Sequence, residues 1–174
     1  MIRKFILASI LLLLIITIQL SVLPSFGLST YINLYLVFTL MLILYIGISK
    51  TIWWILAGAV IIDFYSILPF GITLISYMVT ILFANLLAER WLTNRSYTTL
   101  GILMLIATVL FIIIKFVGIN LVYWLNISNL NISLSSQLIM ISFYQVIFNS
   151  LLAIFIFLTT RSSRFANPNI EQHI

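Results

Sequence analysis

Six long apolar runs, separated by short polar or turn-forming segments, organise the chain. They cover residues 5–23, 31–49, 52–68, 72–88, 97–124 and 138–160. A helix needs about 20 apolar residues, at a rise of about 1.5 Å each, to cross roughly 30 Å of hydrocarbon. The runs are apolar on all sides and lack the alternation that is typical of a membrane β-barrel. The pattern therefore predicts six transmembrane helices, with breaks at Pro24 and in the Pro69-Phe70-Gly71 turn.

The composition places most side chains in lipid. The chain is 64% hydrophobic and only 6% charged, whereas a soluble domain usually carries about 25% charged residues. We expect a single all-α integral membrane domain over residues 1–164, followed by a polar tail at 165–174. Arg3 and Lys4 before an apolar run resemble a signal peptide, but no small-residue cleavage site follows. The first run is therefore predicted to remain as a span.

Basic residues occur in alternate gaps between the runs. Those in the gaps and flanks are Arg3, Lys4, Lys50, Arg90, Arg95, Arg161 and Arg164. The gaps around 24–30, 69–72 and 126–137 contain neither Lys nor Arg. Because basic loops of membrane proteins stay in the cytoplasm, both termini are predicted to be cytoplasmic. The net charge of +5 is spread over loops, which favours contact with an anionic inner leaflet and argues against nucleic-acid binding.

Two ionisable side chains, Asp63 and Lys115, fall inside predicted spans. Counting along the helices places them about 9 Å and about 13 Å below the outer interface. An Asp at this depth costs roughly 3 kcal/mol on insertion scales, which makes Asp63 a candidate functional residue. A structural role is the second interpretation, either capping a neighbouring helix or pairing with a cation, and contact with a partner protein is the third. Their similar depths suggest an Asp63–Lys115 pair, with snorkelling of Lys115 to the outer surface as the alternative.

Uncharged polar side chains also occur within the runs, at Gln19, Asn85, Gln145 and Asn149. Gln145 and Asn149 are four residues apart and should share one helix face. Such groups usually link helices through hydrogen bonds of about 1 kcal/mol each, and the small residues at 57–59 should permit close packing. The chain has no cysteine, and its one histidine is His173 in the tail. We find no catalytic set or metal-ligand cluster, so neither an enzyme nor a cofactor is predicted.

Two segments resemble the MreD family of rod shape-determining membrane proteins. One is Ile-Gln-Leu-Ser-Val-Leu-Pro at 18–24, and the other is Gly-Ala-Val-Ile-Ile-Asp-Phe-Tyr-Ser-Ile-Leu-Pro-Phe-Gly at 58–71. Gln19 matches the family's Leu-Gln pattern, and Asp63 and Gly71 match its Asp-Leu-like pair and following glycine turn, with Phe64 in place of the commoner Leu. The segment Leu-Thr-Asn-Arg-Ser at 92–96 also resembles a cytoplasmic loop of divergent members.

The resemblance implies a non-enzymatic scaffold of cell-wall elongation in the bacterial inner membrane. Its implied partners are an MreC-like protein, the actin-like MreB, a RodA-type glycosyltransferase and the transpeptidase that works with it. The family also resembles the six-helix substrate-binding subunits of energy-coupling-factor vitamin transporters. The alternative function is therefore a small-molecule binder with Asp63 near an outward-facing pocket. Such a binder should have several polar residues converging at the outer ends of its spans, and the sequence indicates few.

Overall fold

The computed structural model describes residues 2–91, 97–127 and 135–165. These residues form α-helices and one π-helical segment, with no strand among them: α1 Ile2–Thr17, the π-helix Ile18–Val22, α2 Leu23–Ser25, α3 Leu34–Ile46, α4 Ile48–Phe64, α5 Ile72–Trp91, α6 Tyr97–Trp124 and α7 Ser136–Phe165. The backbone stays helical from α1 through the π-helix into α2, so these three elements form one rod. The described residues therefore contain six helical rods, in the order of the six apolar runs.

Three of the helices are long and apolar enough to cross a membrane. Their candidate spans are Ile72–Arg90, Leu100–Trp124 and Ser136–Thr159. The apolar stretches Ser9–Ser25 and Leu34–Ile46 are shorter, and α4 has 17 residues. At about 1.5 Å per residue, α3 is only about 20 Å long and α4 about 25 Å. These three helices support the prediction of an all-α membrane protein.

The predicted boundaries differ from the observed ones where backbone geometry ends a helix. Only Gly47 separates α3 from α4, and its φ of +91° breaks the helix in a region that favours glycine. Lys50 consequently lies in the first turn of α4 and not in a loop. Helix α4 also ends at Phe64, before the predicted 68, while α5 and α7 extend past their predicted ends at 88 and 160.

Some sequence predictions lie outside the described residues. They concern the MreD-like segment 92–96 with Arg95, positions 128–134 of the predicted outer loop, and the tail from residue 166, which contains His173.

Helix α3 is the shortest of the six rods and the innermost. It contacts α1, α4, α5, α6 and α7, and its Tyr35, Leu36 and Val37 are fully buried. By contrast, α6 exposes apolar side chains such as Ile113 and Val117. This arrangement explains why α3 is apolar on all sides, since neighbouring helices surround it where lipid would surround a peripheral helix.

The contact between α3 and α4 depends on a glycine. The Tyr35 hydroxyl donates a hydrogen bond to the carbonyl of Ile55, so the tyrosine ring lies against the α4 backbone. A Cβ atom added at Gly58 would come within 2.6 Å of that hydroxyl oxygen. Ala59 is buried beside it, whereas Ala57 is exposed. The predicted small-residue contact therefore involves Gly58 and Ala59 but not Ala57.

Candidate functional site

Asp63 is buried near the end of α4, with only 2% of its surface exposed. Its carboxylate reaches the start of α5. Oδ2 accepts a hydrogen bond from the Gly71 N–H (2.5 Å), and Oδ1 accepts from the N–H groups of Thr73 (2.9 Å) and Leu74 (3.3 Å). Amides at a helix start have no partner within the helix, and a negative charge there also interacts favourably with the helix dipole. Asp63 therefore caps the helix that follows its own.

The turn between α4 and α5 directs these amides toward Asp63. Gly71 has a φ of +99°, a conformation that a side chain would strain. Ser66 stabilises the same turn, since its N–H donates to the Asp63 carbonyl (3.0 Å) and its Oγ accepts from the Leu68 N–H (3.1 Å). Asp63 and Gly71, both candidates from the sequence, thus belong to one capped turn.

Lys115 does not pair directly with Asp63. Within the described part of the chain, no ion pair joins the two at N···O distances up to 4.0 Å. The Lys115 ammonium lies 5.9 Å from the centre of the Phe111 ring. The suggested pair is therefore not formed. Asp63 caps α5, and Lys115 is a partly buried lysine without an ion pair among the described residues.

Gln19 and Asn149 hold the segment that enters α3. Gln19 Oε1 accepts a hydrogen bond from the Leu34 N–H (2.7 Å), and its Nε2 donates to the Ile32 carbonyl (3.4 Å). Asn149 Oδ1 accepts from the Asn33 N–H (2.9 Å). Gln19 belongs to the π-helix and Asn149 to α7, so both residues link helices, the role that the sequence favoured for them.

Asn33, which the sequence analysis missed, lies at the centre of this network. Its Oδ1 caps α3 by accepting from the Leu36 N–H (3.1 Å) and also accepts from the Tyr77 hydroxyl of α5 (2.8 Å). Asn149 Nδ2 extends the network by donating to the Thr108 hydroxyl of α6 (3.4 Å). An Asn immediately before an apolar helical run is an N-cap signal, and it could have identified Asn33.

The other two polar candidates behave differently. Asn85 donates a hydrogen bond to Glu89, one turn along α5 (2.8 Å), so this bond lies within one helix and links no neighbours. Gln145 precedes Asn149 by one turn of α7 and lines a cavity. On the face predicted to be shared by these two residues, Asn149 links helices, whereas Gln145 lines the cavity.

This cavity, of about 260 Å³, lies at the end of the bundle where Asp63 caps α5. Its polar lining includes Gln19, Asn33, Thr73, Tyr77, Lys115 and Gln145. A second cavity of about 280 Å³ adjoins it and shares Ser29, Phe111, Lys115 and Gln145. The sequence indicated few converging polar residues, and this expectation was wrong. The lining residues come from segments that are far apart in the chain, so their convergence becomes visible only when the helices are packed.

The chemistry available in this cavity is one cation surrounded by amides and hydroxyls. Such groups can bind an anion or a polar ligand through hydrogen bonds and charge. Among the described residues, no group of three or more His, Cys, Asp or Glu side chains could hold a metal ion. No protein-family model, curated protein or solved structure matches the chain.

Proposed function

We propose that this chain is a six-span, non-enzymatic scaffold of the bacterial wall-elongation machinery, similar to MreD. The proposal rests on the structural roles of residues in the two MreD-like segments. Gln19 holds the entry to α3, Gly58 admits the Tyr35 ring, and Asp63 with Gly71 caps α5. These residues shape the bundle, as expected of a protein that works through its surface.

The six-span topology is supported by the order of the rods and by the charge pattern. Helix α3 contacts five other helices, and hydrogen bonds to Gln19, Asn33 and Asn149 satisfy backbone N–H groups at its start. Basic residues follow alternate runs, which favours cytoplasmic termini in the bacterial inner membrane. Under this topology the capped turn at 65–71 and the polar cavity lie toward the outer side.

The proposed direct partner is an MreC-like protein. MreB, a RodA-type glycosyltransferase and its transpeptidase partner belong to the same assembly. Lipid-facing apolar surface, as on α6, offers membrane-embedded contacts, and the outer turn offers contacts beyond the membrane.

Depletion of the protein in its native host tests the scaffold role. Cells should lose rod shape and become round, and re-expression of the wild-type chain should restore the rods. A photoreactive residue at the exposed position Ile67, within the capped turn, should crosslink an MreC-like protein. Unchanged cell shape after full depletion would contradict the proposal.

The second candidate function is the substrate-binding subunit of a vitamin-type transporter. The observation that favours it is the cavity with its converging polar side chains. Loss of uptake of one vitamin on depletion, with cell shape unchanged, would support this function over the scaffold.

A further inference from the structure

Lys115 and Gln145, which line both cavities, have polar ends without a direct partner among the described residues. Asp63, Gln19, Asn33 and Asn149 all form hydrogen bonds within or between helices. In the described part of the chain, by contrast, Lys115 forms no ion pair and Gln145 forms no hydrogen bond. A cation held away from bulk water without a contacting anion is costly. The two side chains line both cavities, so a ligand there could satisfy both.

The two adjoining cavities differ in character. One is the polar chamber described above, adjacent to the π-helix, an element often found at functional sites. The other runs between α6 and α7 along apolar side chains, including Ile112, Phe116, Ile119 and Ile141. Lys115 and Gln145 lie on their common wall. A ligand that fills both must therefore have a polar head and an apolar chain.

The charges in the polar chamber favour a negative head group. Lys115 is its charged lining residue, and the other polar lining side chains are amides and hydroxyls. The negative charge of Asp63 is offset by the α5 amides that it accepts from and by the positive end of that helix. Helix α6 has 28 residues, or about 42 Å, and exceeds a roughly 30 Å hydrocarbon layer. Lys115 is therefore within reach of the head-group region.

We propose that these cavities bind an anionic amphiphile. A phosphate or carboxylate head group contacts the Lys115 ammonium and the Gln145 amide, and an acyl-type chain lies between α6 and α7. The head-group chemistry is shared by membrane phospholipids and by free phosphate, but the apolar cavity favours the lipid. The site is independent of the scaffold role, so either proposal can fail without the other.

Native mass spectrometry of the full chain, released from detergent, tests the site. The probes are phosphatidylglycerol, phosphatidylcholine with the same acyl chains, and inorganic phosphate. We expect the wild-type protein to bind phosphatidylglycerol about tenfold more tightly than phosphatidylcholine. Both lipids carry a phosphate, but the choline cation cancels the net negative charge of the phosphatidylcholine head group and is repelled by the Lys115 ammonium. Lys115→Gln should abolish the preference. Lys50→Gln is the matched control, because Lys50 is an exposed cation on α4 and its loss should leave the preference intact.

Gln145→Glu provides a second test that keeps Lys115 in place. The added carboxylate should repel the head group and lower phosphatidylglycerol binding about tenfold. Gel-filtration elution and the thermal aggregation temperature check that each variant folds. If Lys115→Gln does not fold, Lys115→Arg takes its place. Because arginine keeps the positive charge, the preference for phosphatidylglycerol should then remain. Equal binding of the two lipids by the wild-type chain, or a preference that survives both Lys115→Gln and Gln145→Glu, would overturn the proposal. Phosphate binding as tight as lipid binding would overturn the amphiphile assignment.

Discussion

Asp63 shows how a carboxylate can be accommodated deep in an apolar bundle. Its oxygens accept three backbone N–H groups at the start of α5, which would otherwise lack partners. The charge and the helix start therefore satisfy each other. Burial of an acid inside a span is a sign of function by default, but here the local geometry assigns it a structural role. The remaining charge in the region, Lys115, is left free to contact something else.

The cap predicts a graded response to substitution at Asp63. Asp63→Ala should lower the free energy of unfolding by about 2 kcal/mol, because three amides at the α5 start lose a charged acceptor. Asp63→Asn should cost less, since its single oxygen still accepts. Thermal aggregation of the detergent-solubilised variants measures both losses.

A double substitution separates the cap from the ion pair. If Asp63 acts as a cap, adding Lys115→Met to Asp63→Ala should recover little stability, because the α5 amides remain unsatisfied. Substantial recovery in the double variant would instead indicate that the two charges stabilise each other.

At the scale of elements, α3 depends on its neighbours at both ends. Asn33 caps its start, and Gln19 and Asn149 hold the preceding segment. Gly47 ends it. Along its length Tyr35 packs directly against the α4 backbone. A helix of 13 residues has little stability of its own, so these contacts set its position.

The close approach of α3 and α4 predicts that Gly58→Ala is destabilising. The added methyl would overlap the Tyr35 ring, and overpacking of this kind typically costs about 1–3 kcal/mol. Gly101→Ala is the control, because its Cβ would meet only the flexible end of Ile154, at 3.1 Å. The difference in thermal aggregation temperature between the two variants measures the effect. Equal temperatures would contradict the described packing.

The polar link between α3 and α7 predicts a loss of stability in Asn149→Leu. The substitution leaves the buried Asn33 N–H without an acceptor, which should cost about 1–3 kcal/mol. Asn85→Leu should have little effect, because Asn85 bonds only within its own helix. Urea-induced unfolding in mild detergent compares the two, and similar losses would argue against the network.

At the scale of the whole molecule, the sequence predicted the order of the helices because the apolar runs are long and polar, charged or turn-forming residues separate them. It misplaced the α3–α4 boundary, since Lys50 looked like a loop residue and only the geometry at Gly47 shows that the second helix has already begun. The pairing of residues within the polar network could not be predicted, because its members lie far apart in the chain; Asn33 and Asn149 are 116 positions apart. The cavity depends on the same packing.

The proposed topology has six crossings of the membrane, with the capped turn and the cavity toward the outer side. The chain contains no cysteine, so single cysteines can report the side of each connection. Ser29→Cys, Ile67→Cys and Ser128→Cys should react with a membrane-impermeant maleimide in intact spheroplasts. Ser49→Cys, Ser96→Cys and Ser163→Cys should react only after lysis. Labelling at Ser29→Cys and Ser96→Cys from the same side would contradict the six-span topology.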